Sequence, residues 1–258
     1  MRYVIKKEMK DKPGLYKWSP ENESNQETVN ITDWSERKIL EYGVAELLKI
    51  HNAIQDVIDE CHTAASIITR KLKAGGRIIT FGAGGSGVAA MSVMREIPQN
   101  HRDLSPDNVT YRIAGQAGIL DPLGCEELED DPEEGICDID ALKVGADDVV
   151  ILVSATGRTP YTRAASNRAK DLGAYTIGIV CQRSELLSEV DLPILVEVGP
   201  EMFVGATCEM SATAQKHILD MIMNVVVVNL GITDGNKCRA RLIHEKAKTR
   251  DAFFAKAS

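Results

Sequence analysis

The 258-residue sequence is short of three things, and each shortage removes a class of function. It lacks an apolar run long enough to span a bilayer. The longest, Met221 to Leu230, is interrupted by Asn224 and Asn229 and reads as a buried helix. It lacks clustered metal ligands: six cysteines (Cys61, Cys125, Cys137, Cys181, Cys208, Cys238) contain no C-x-x-C pair, and five histidines are equally dispersed. The opening residues, Met1 to Glu8, carry no apolar leader, so the thiols read as reduced and the expected compartment is the cytoplasm. It also lacks a basic stretch interleaved with aromatics. Acidic residues outnumber basic ones 38 to 30, so nucleic acid is not an expected partner, and neither is a membrane.

What is present is an alternation of short apolar runs and helical periods. Residues 1–30 are polar, with Pro13, Pro20 and Glu21-Asn22-Glu23-Ser24-Asn25, and read as an arm that either wraps a partner subunit or is loosely held. Residues 31–258 read as a single domain. Apolar residues from Ile39 to Leu72 recur at helical spacing and predict two helices, stopped by Gly75-Gly76. Strands are predicted at 77–81, 109–114, 148–153, 175–180 and 193–197. Helices are predicted at 86–96, 160–172, 207–230 and 237–255, and the acidic stretch 126–134 reads as a surface loop or short helix. Such alternation implies an α/β fold, a doubly wound and mainly parallel five-stranded sheet with flanking helices.

Two turns stand out within that frame. Gly82-Ala83-Gly84-Gly85-Ser86-Gly87 follows the first strand, and Ser154-Ala155-Thr156-Gly157-Arg158-Thr159 follows the third. A strand, a tight turn and a helix start bring backbone N–H groups and the positive helix end to one spot, which suits an anion. The hydroxyls of Ser86, Ser154, Thr156 and Thr159 add donors without charge. Taken singly, Ser86, Thr156 and Thr159 are as well explained as helix caps. As a set they point to a phosphorylated ligand. The first turn also satisfies G-x-G-x-x-G, but the second strand ends in Ala114-Gly115-Gln116 without the acidic residue that would hold a nucleotide ribose.

The two turns together resemble those of the sugar isomerase (SIS) domain family, where they hold a sugar phosphate. Further landmarks are similar to the N-acetylmuramic acid 6-phosphate etherases within it: Glu96-Ile97-Pro98, Ile113-Ala114-Gly115, Glu126 to Asp131, Ala155 to Tyr161, Gly199-Pro200-Glu201, Thr213-Ala214-Gln215-Lys216 and Gly235-Asn236. The resemblance implies removal of D-lactate from carbon 3 of a sugar phosphate by elimination and hydration, without metal or cofactor. It implies Glu96 and Glu129 as the acid–base pair, Gly84, Gly85, Ser86, Ser154, Thr156, Gly157, Arg158 and Thr159 around the phosphate, and Glu201, Cys208, Lys216 and His244 as further substrate contacts. A homodimer is also implied, since the family's sites form at subunit contacts and the segment carrying His244 reaches a neighbouring site there.

Plainer readings stand beside several of these. Glu129 lies in a run of acids that a solvated face would explain, Arg158 suits a surface salt bridge equally well, and Lys216 could simply extend along the surface. The sequence also departs from the family pattern. Gly85 and Val88 stand where a hydroxyl residue and an arginine are usual, and Cys208 and Met210 stand where an arginine and a lysine are usual. The chain stops before the family's small C-terminal helical domain. An aldose–ketose phosphosugar isomerase and a non-catalytic phosphosugar sensor, like the related glucokinase regulatory proteins, are the alternative functions.

Overall fold

A computed structural model describes residues 24–115, 126–206, 209–239 and 245–255. Five strands, β1 (Ile78–Gly82), β2 (Val109–Ile113), β3 (Val149–Ser154), β4 (Tyr175–Val180) and β5 (Leu192–Leu195), form one parallel sheet in the order β2-β1-β3-β4-β5. β1 and β3 are buried along their whole length because helices cover both faces, which is why they read as unbroken apolar runs.

Alternate side chains feed two cores. Ile78, Val149, Ile151, Val153, Ile177 and Ile179 pack on one face with helices α1 (Glu36–Gln55), α2 (Ile58–Lys73), α3 (Gly84–Asn100) and α8 (Met210–Asn229). Ile79, Phe81, Val150, Leu152 and Val180 pack on the other with α5 (Pro132–Ala141), α6 (Pro160–Asp171) and α7 (Leu186–Glu189). The short α4 (Glu126–Glu129) precedes α5. The chain leaves β1 toward β2 on one side and returns to β3 on the other. The carboxyl ends of β1 and β3 therefore flank the point where strand order reverses, the place where open α/β sheets take ligands.

Several expected boundaries move. α3 does not stop at 96 but continues to Asn100 through Pro98, whose missing N–H removes one rung of the helix and no more. The C-terminal helix does not begin at 237. Lys237–Cys238 (β7) pairs antiparallel with Thr233–Asp234 (β6) across the two-residue turn Gly235-Asn236, with Gly235 at φ +57°, and the last helix, α9, spans Glu245–Ala255. In the arm, residues 24–30 are tied to their own protomer. Thr28 Oγ1 donates to the Met202 carbonyl at 2.8 Å and Asn25 Nδ2 donates to the Glu201 carbonyl at 3.3 Å, with both residues buried. Residues 1–23 lie outside the described residues. Among the described residues no helix is long and apolar enough to cross a membrane.

Candidate active site

The first turn is built by close packing. A Cβ on Gly82 would sit 2.9 Å from the Gly87 Cα, and one on Gly87 would sit 2.8 Å from Ile113 Cγ2, so neither position tolerates a side chain. Gly84 takes φ +48° and is exposed, and α3 begins there. The residue preceding the helix is Ala83, which offers no side-chain cap. The second turn ends on Thr159, which precedes α6 and likewise gives its helix no side-chain cap. Because α3 and α6 lie on opposite faces of the sheet, two helix starts with uncapped N–H groups approach the strand-reversal point from both sides.

One hydroxyl ties the two turns together and the others brace the second turn. Ser86 Oγ accepts from the Ala155 N–H at 3.1 Å, a bond between the first turn and the second. Ser154 Oγ accepts from the Gly157 N–H at 2.9 Å and shares a 3.2 Å hydrogen bond with Thr159 Oγ1, while Thr156 Oγ1 accepts from the Arg158 N–H at 3.2 Å. A hydroxyl that accepts from an amide keeps its own proton to donate. Gly157, at φ +65°, lies against Ser184: a Cβ there would fall 1.9 Å from its Oγ.

Glu129, at the end of α4, comes to the same place, with its Oε2 3.5 Å from where a Cβ on Gly84 would be. It is half-buried, not part of a fully solvated face. Glu96 is not brought there. It is exposed, and lies about 18 Å along α3 from Gly84, toward the opposite edge of the sheet.

The remaining residues divide. Arg158 is anchored beside the second turn. Its guanidinium donates to Gln182 Oε1 at 2.9 Å and to the Arg183 carbonyl at 3.1 Å, bracing the second turn against the loop after β4. Lys216 pairs with Asp220 at 2.7 Å along the exposed side of α8. Glu201 is buried and accepts from the Met210 N–H at 2.8 Å and the Ser211 N–H at 2.9 Å, so it caps α8. Cys208 and His244 lie outside the described residues.

Two buried groups, Ser184 against the second turn and Glu46 on α1, escaped the sequence motifs. Ser184 has no motif signature, being marked only by the glycine it confronts. Glu46 did leave a signal: with Ile50, Ala53 and Ile54 it makes the buried stripe of α1, a carboxylate at a core position.

Comparison with known proteins shows the family. A SIS domain family model matches residues 43–181. The chain is 37% identical over 202 residues to the N-acetylmuramic acid 6-phosphate etherase of Mycolicibacterium smegmatis, covering 75% of this chain and 67% of that protein. It is 35% identical over 208 residues to the enzyme of that name from Bacillus subtilis, with 80% and 68% covered, and 38% identical over 193 residues to that from Rubrobacter xylanophilus, with 74% and 63% covered. The matches thus span about two thirds of each relative's length. Among solved structures, a phosphoheptose isomerase from Francisella tularensis superposes with a TM-score of 0.57 at 18% identity, covering 74% of this chain and 96% of its own. At that identity the likeness concerns the fold.

Proposed function

The chain belongs to the SIS domain family and, within it, to the N-acetylmuramic acid 6-phosphate etherases, and from that premise we propose that it is a sugar-phosphate lyase. It cleaves the D-lactyl ether of N-acetylmuramic acid 6-phosphate, giving N-acetylglucosamine 6-phosphate and D-lactate with net addition of water. The observation that carries this reading is the convergence of one carboxylate, Glu129, with two uncapped helix starts at the strand-reversal point. The phosphate sits on the N–H groups of Gly84 and Gly85, and the hydroxyls of Ser86, Thr156 and one of the Ser154–Thr159 pair donate to it, while the Gly157 N–H, held by Ser154 Oγ, shapes the second turn.

The chemistry follows from the open-chain aldehyde. It acidifies the carbon 2 proton, which one carboxylate removes. The second carboxyl protonates the departing lactate oxygen at carbon 3, and water then adds across the double bond. Two carboxyls held in different environments are needed, so that one is ionised while the other keeps its proton. Glu129 supplies one from within the protomer. Glu96 supplies the other across a contact between two copies, because in its own protomer it lies too far along α3. The exposed apolar face of α1, with Leu40 71%, Val44 67%, Leu47 55% and Leu48 67% accessible, suits burial in such a homodimer. The substrate class and reduced thiols fit a cytoplasmic enzyme.

The test is D-lactate release in ¹⁸O-labelled water by the unaltered protein and by Glu96→Gln and Glu129→Gln. Label entering carbon 3 of the sugar, with both lost in the variants, supports the reading. A folded protein that binds phosphosugar but releases no lactate overturns it in favour of a regulator.

A further inference from the structure

The face of the sheet that carries α5 and α6 holds a polar contact that the chemistry above does not use. Tyr161 stands in the first turn of α6, two residues after Thr159, and is fully buried. Its hydroxyl donates to Asp138 Oδ2 of α5 at 2.7 Å, and the other oxygen of that carboxylate faces Arg112 Nε at 3.6 Å. Burial first, and then the Asp138 carboxylate, push the hydroxyl well above its ordinary value, so it keeps its proton and remains the donor. The Tyr161 ring lies beside Phe81, with centroids 6.2 Å apart, and Arg112 is the register partner of Phe81 across β1 and β2. One carboxylate thus meets the strand that leads into the first turn, the strand beside it and the helix that leaves the second turn.

Packing alone does not call for this contact. A phenyl ring at 161 and an alkyl side chain at 138 would fill the same space without drawing a hydroxyl and a carboxylate away from water. What the pair adds is direction. A charge-assisted hydrogen bond holds only over a narrow range of distance and angle, so α5 is fixed in register on α6. The two backbones are already in close contact, since a Cβ on Gly135 would collide with the Tyr161 carbonyl. From Asp138 the fixed segment runs back to Glu129 with little slack. Only Asp130 and Asp131 separate α4 from α5. The Asp131 N–H donates to the Leu128 carbonyl at 3.3 Å, and its Oδ1 accepts from the Glu133 N–H at 2.9 Å, capping α5.

We propose that Asp138 and Tyr161 are positioning residues for the lyase reaction: their hydrogen bond sets the place of the Glu129 carboxyl over the open start of α3. The inference rests on the reading of Glu129 as one of the two reacting carboxyls, and adds the residues that aim it. D-Lactate release from N-acetylmuramic acid 6-phosphate tests it. Tyr161→Phe, which removes a single oxygen, lowers kcat about 10- to 100-fold, the scale of a small displacement of a reacting group, while KM stays within about twofold. Asp138→Ala does the same, and Asp138→Asn, whose amide oxygen still accepts from the hydroxyl, recovers most of the loss. In a Glu129→Gln background Tyr161→Phe costs nothing further, because the group it aims is already gone. Asp148→Asn, which breaks an ion pair away from the site, loses stability without losing kcat, and so separates aim from stability. Unchanged kcat in Tyr161→Phe, or an equal further loss in the Glu129→Gln background, overturns the inference alone. Equal kcat in Asp138→Ala and Asp138→Asn overturns it as well, and decides the matter if Tyr161→Phe does not fold. An unaltered protein that releases no lactate overturns the lyase reading and the inference with it.

Discussion

α3, α6 and α8 each start near the carboxyl ends of the strands, and they start in two ways. α8 begins against a buried carboxylate, Glu201, which accepts from two of its first N–H groups. α3 and α6 begin after Ala83 and Thr159 with no side-chain cap at all. A helix end left open beside a closed one is not an economy of sequence. The closed end serves stability, and the open ends are left for an anion that the chain does not itself contain.

The largest expected effect comes from the carboxylate placed at the open ends. Glu129→Gln lowers D-lactate release roughly 10²–10⁴-fold, with phosphosugar affinity retained in titration. Glu96→Gln falls by a similar factor. Mixing the two variants then restores about a quarter of the unaltered turnover if sites are shared between copies, because half of random dimers carry one intact site. Recovery of nothing on mixing would mean that both glutamates act within one protomer.

Closing an open end comes next. Ala83→Asp gives α3 the cap that α8 has, and the added carboxylate repels a phosphate from the first turn. Inorganic phosphate and phosphosugar binding should weaken by about 100-fold or more, while the melting temperature rises with a gain of about 1 kcal/mol. Unchanged binding would break the assignment of that helix end to an anion.

Opening the closed end gives the reciprocal result. Glu201→Ala strips two backbone donors of a buried acceptor and should cost about 3 kcal/mol in denaturant unfolding. Phosphosugar affinity, measured well below the unfolding transition, should stay within about twofold. Gly157→Ala belongs between the two kinds. Its Cβ would meet Ser184 Oγ at 1.9 Å and force a non-glycine residue to φ +65°, so about 2 kcal/mol of stability goes, with a distorted second turn and weaker phosphate binding.

Much of the fold was legible in the sequence, for identifiable reasons, but the contrast between open and closed helix starts was not. Strands covered on both faces must be continuously apolar, and Ile78 to Phe81 and Val149 to Val153 are. Gly82 and Gly87 belong to the glycine-rich turn that the sequence marks, and the close approach of helix and strand is why no side chain fits there. What escaped depends on pairing through space. The Ser86–Ala155 bond exists because β1 and β3 are neighbours, which strand order in sequence does not state. The resemblance implies Glu201 as a substrate contact, and its hold on the Met210 and Ser211 N–H groups has no motif to announce it. The two-residue strands β6 and β7 are too short to carry a period, so the residues around them were absorbed into a helix.

The smallest effect sharpens the comparison from the opposite edge of the sheet. Arg77 and Asp148 lie at the amino ends of β1 and β3, joined at 2.7 Å, and Asp148 also accepts from the Gly145 N–H at 3.0 Å. Burial alone would push the Asp148 carboxyl up, but the hydrogen bonds from Arg77 and Gly145 outweigh it and hold the group below the usual carboxylate range. A carboxyl lowered on folding contributes stability above its unfolded value, near 3.8, and that contribution is lost as pH falls through the folded value. Asp148→Asn should therefore unfold at a lower temperature than the unaltered protein at neutral pH. The gap should narrow as the pH is taken below 3.8, in thermal melts followed by circular dichroism. Phosphosugar affinity should not move, since the pair holds the strands together at the end away from the ligand. A gap that stays constant across that range would mean Asp148 acts through packing and not through its charge.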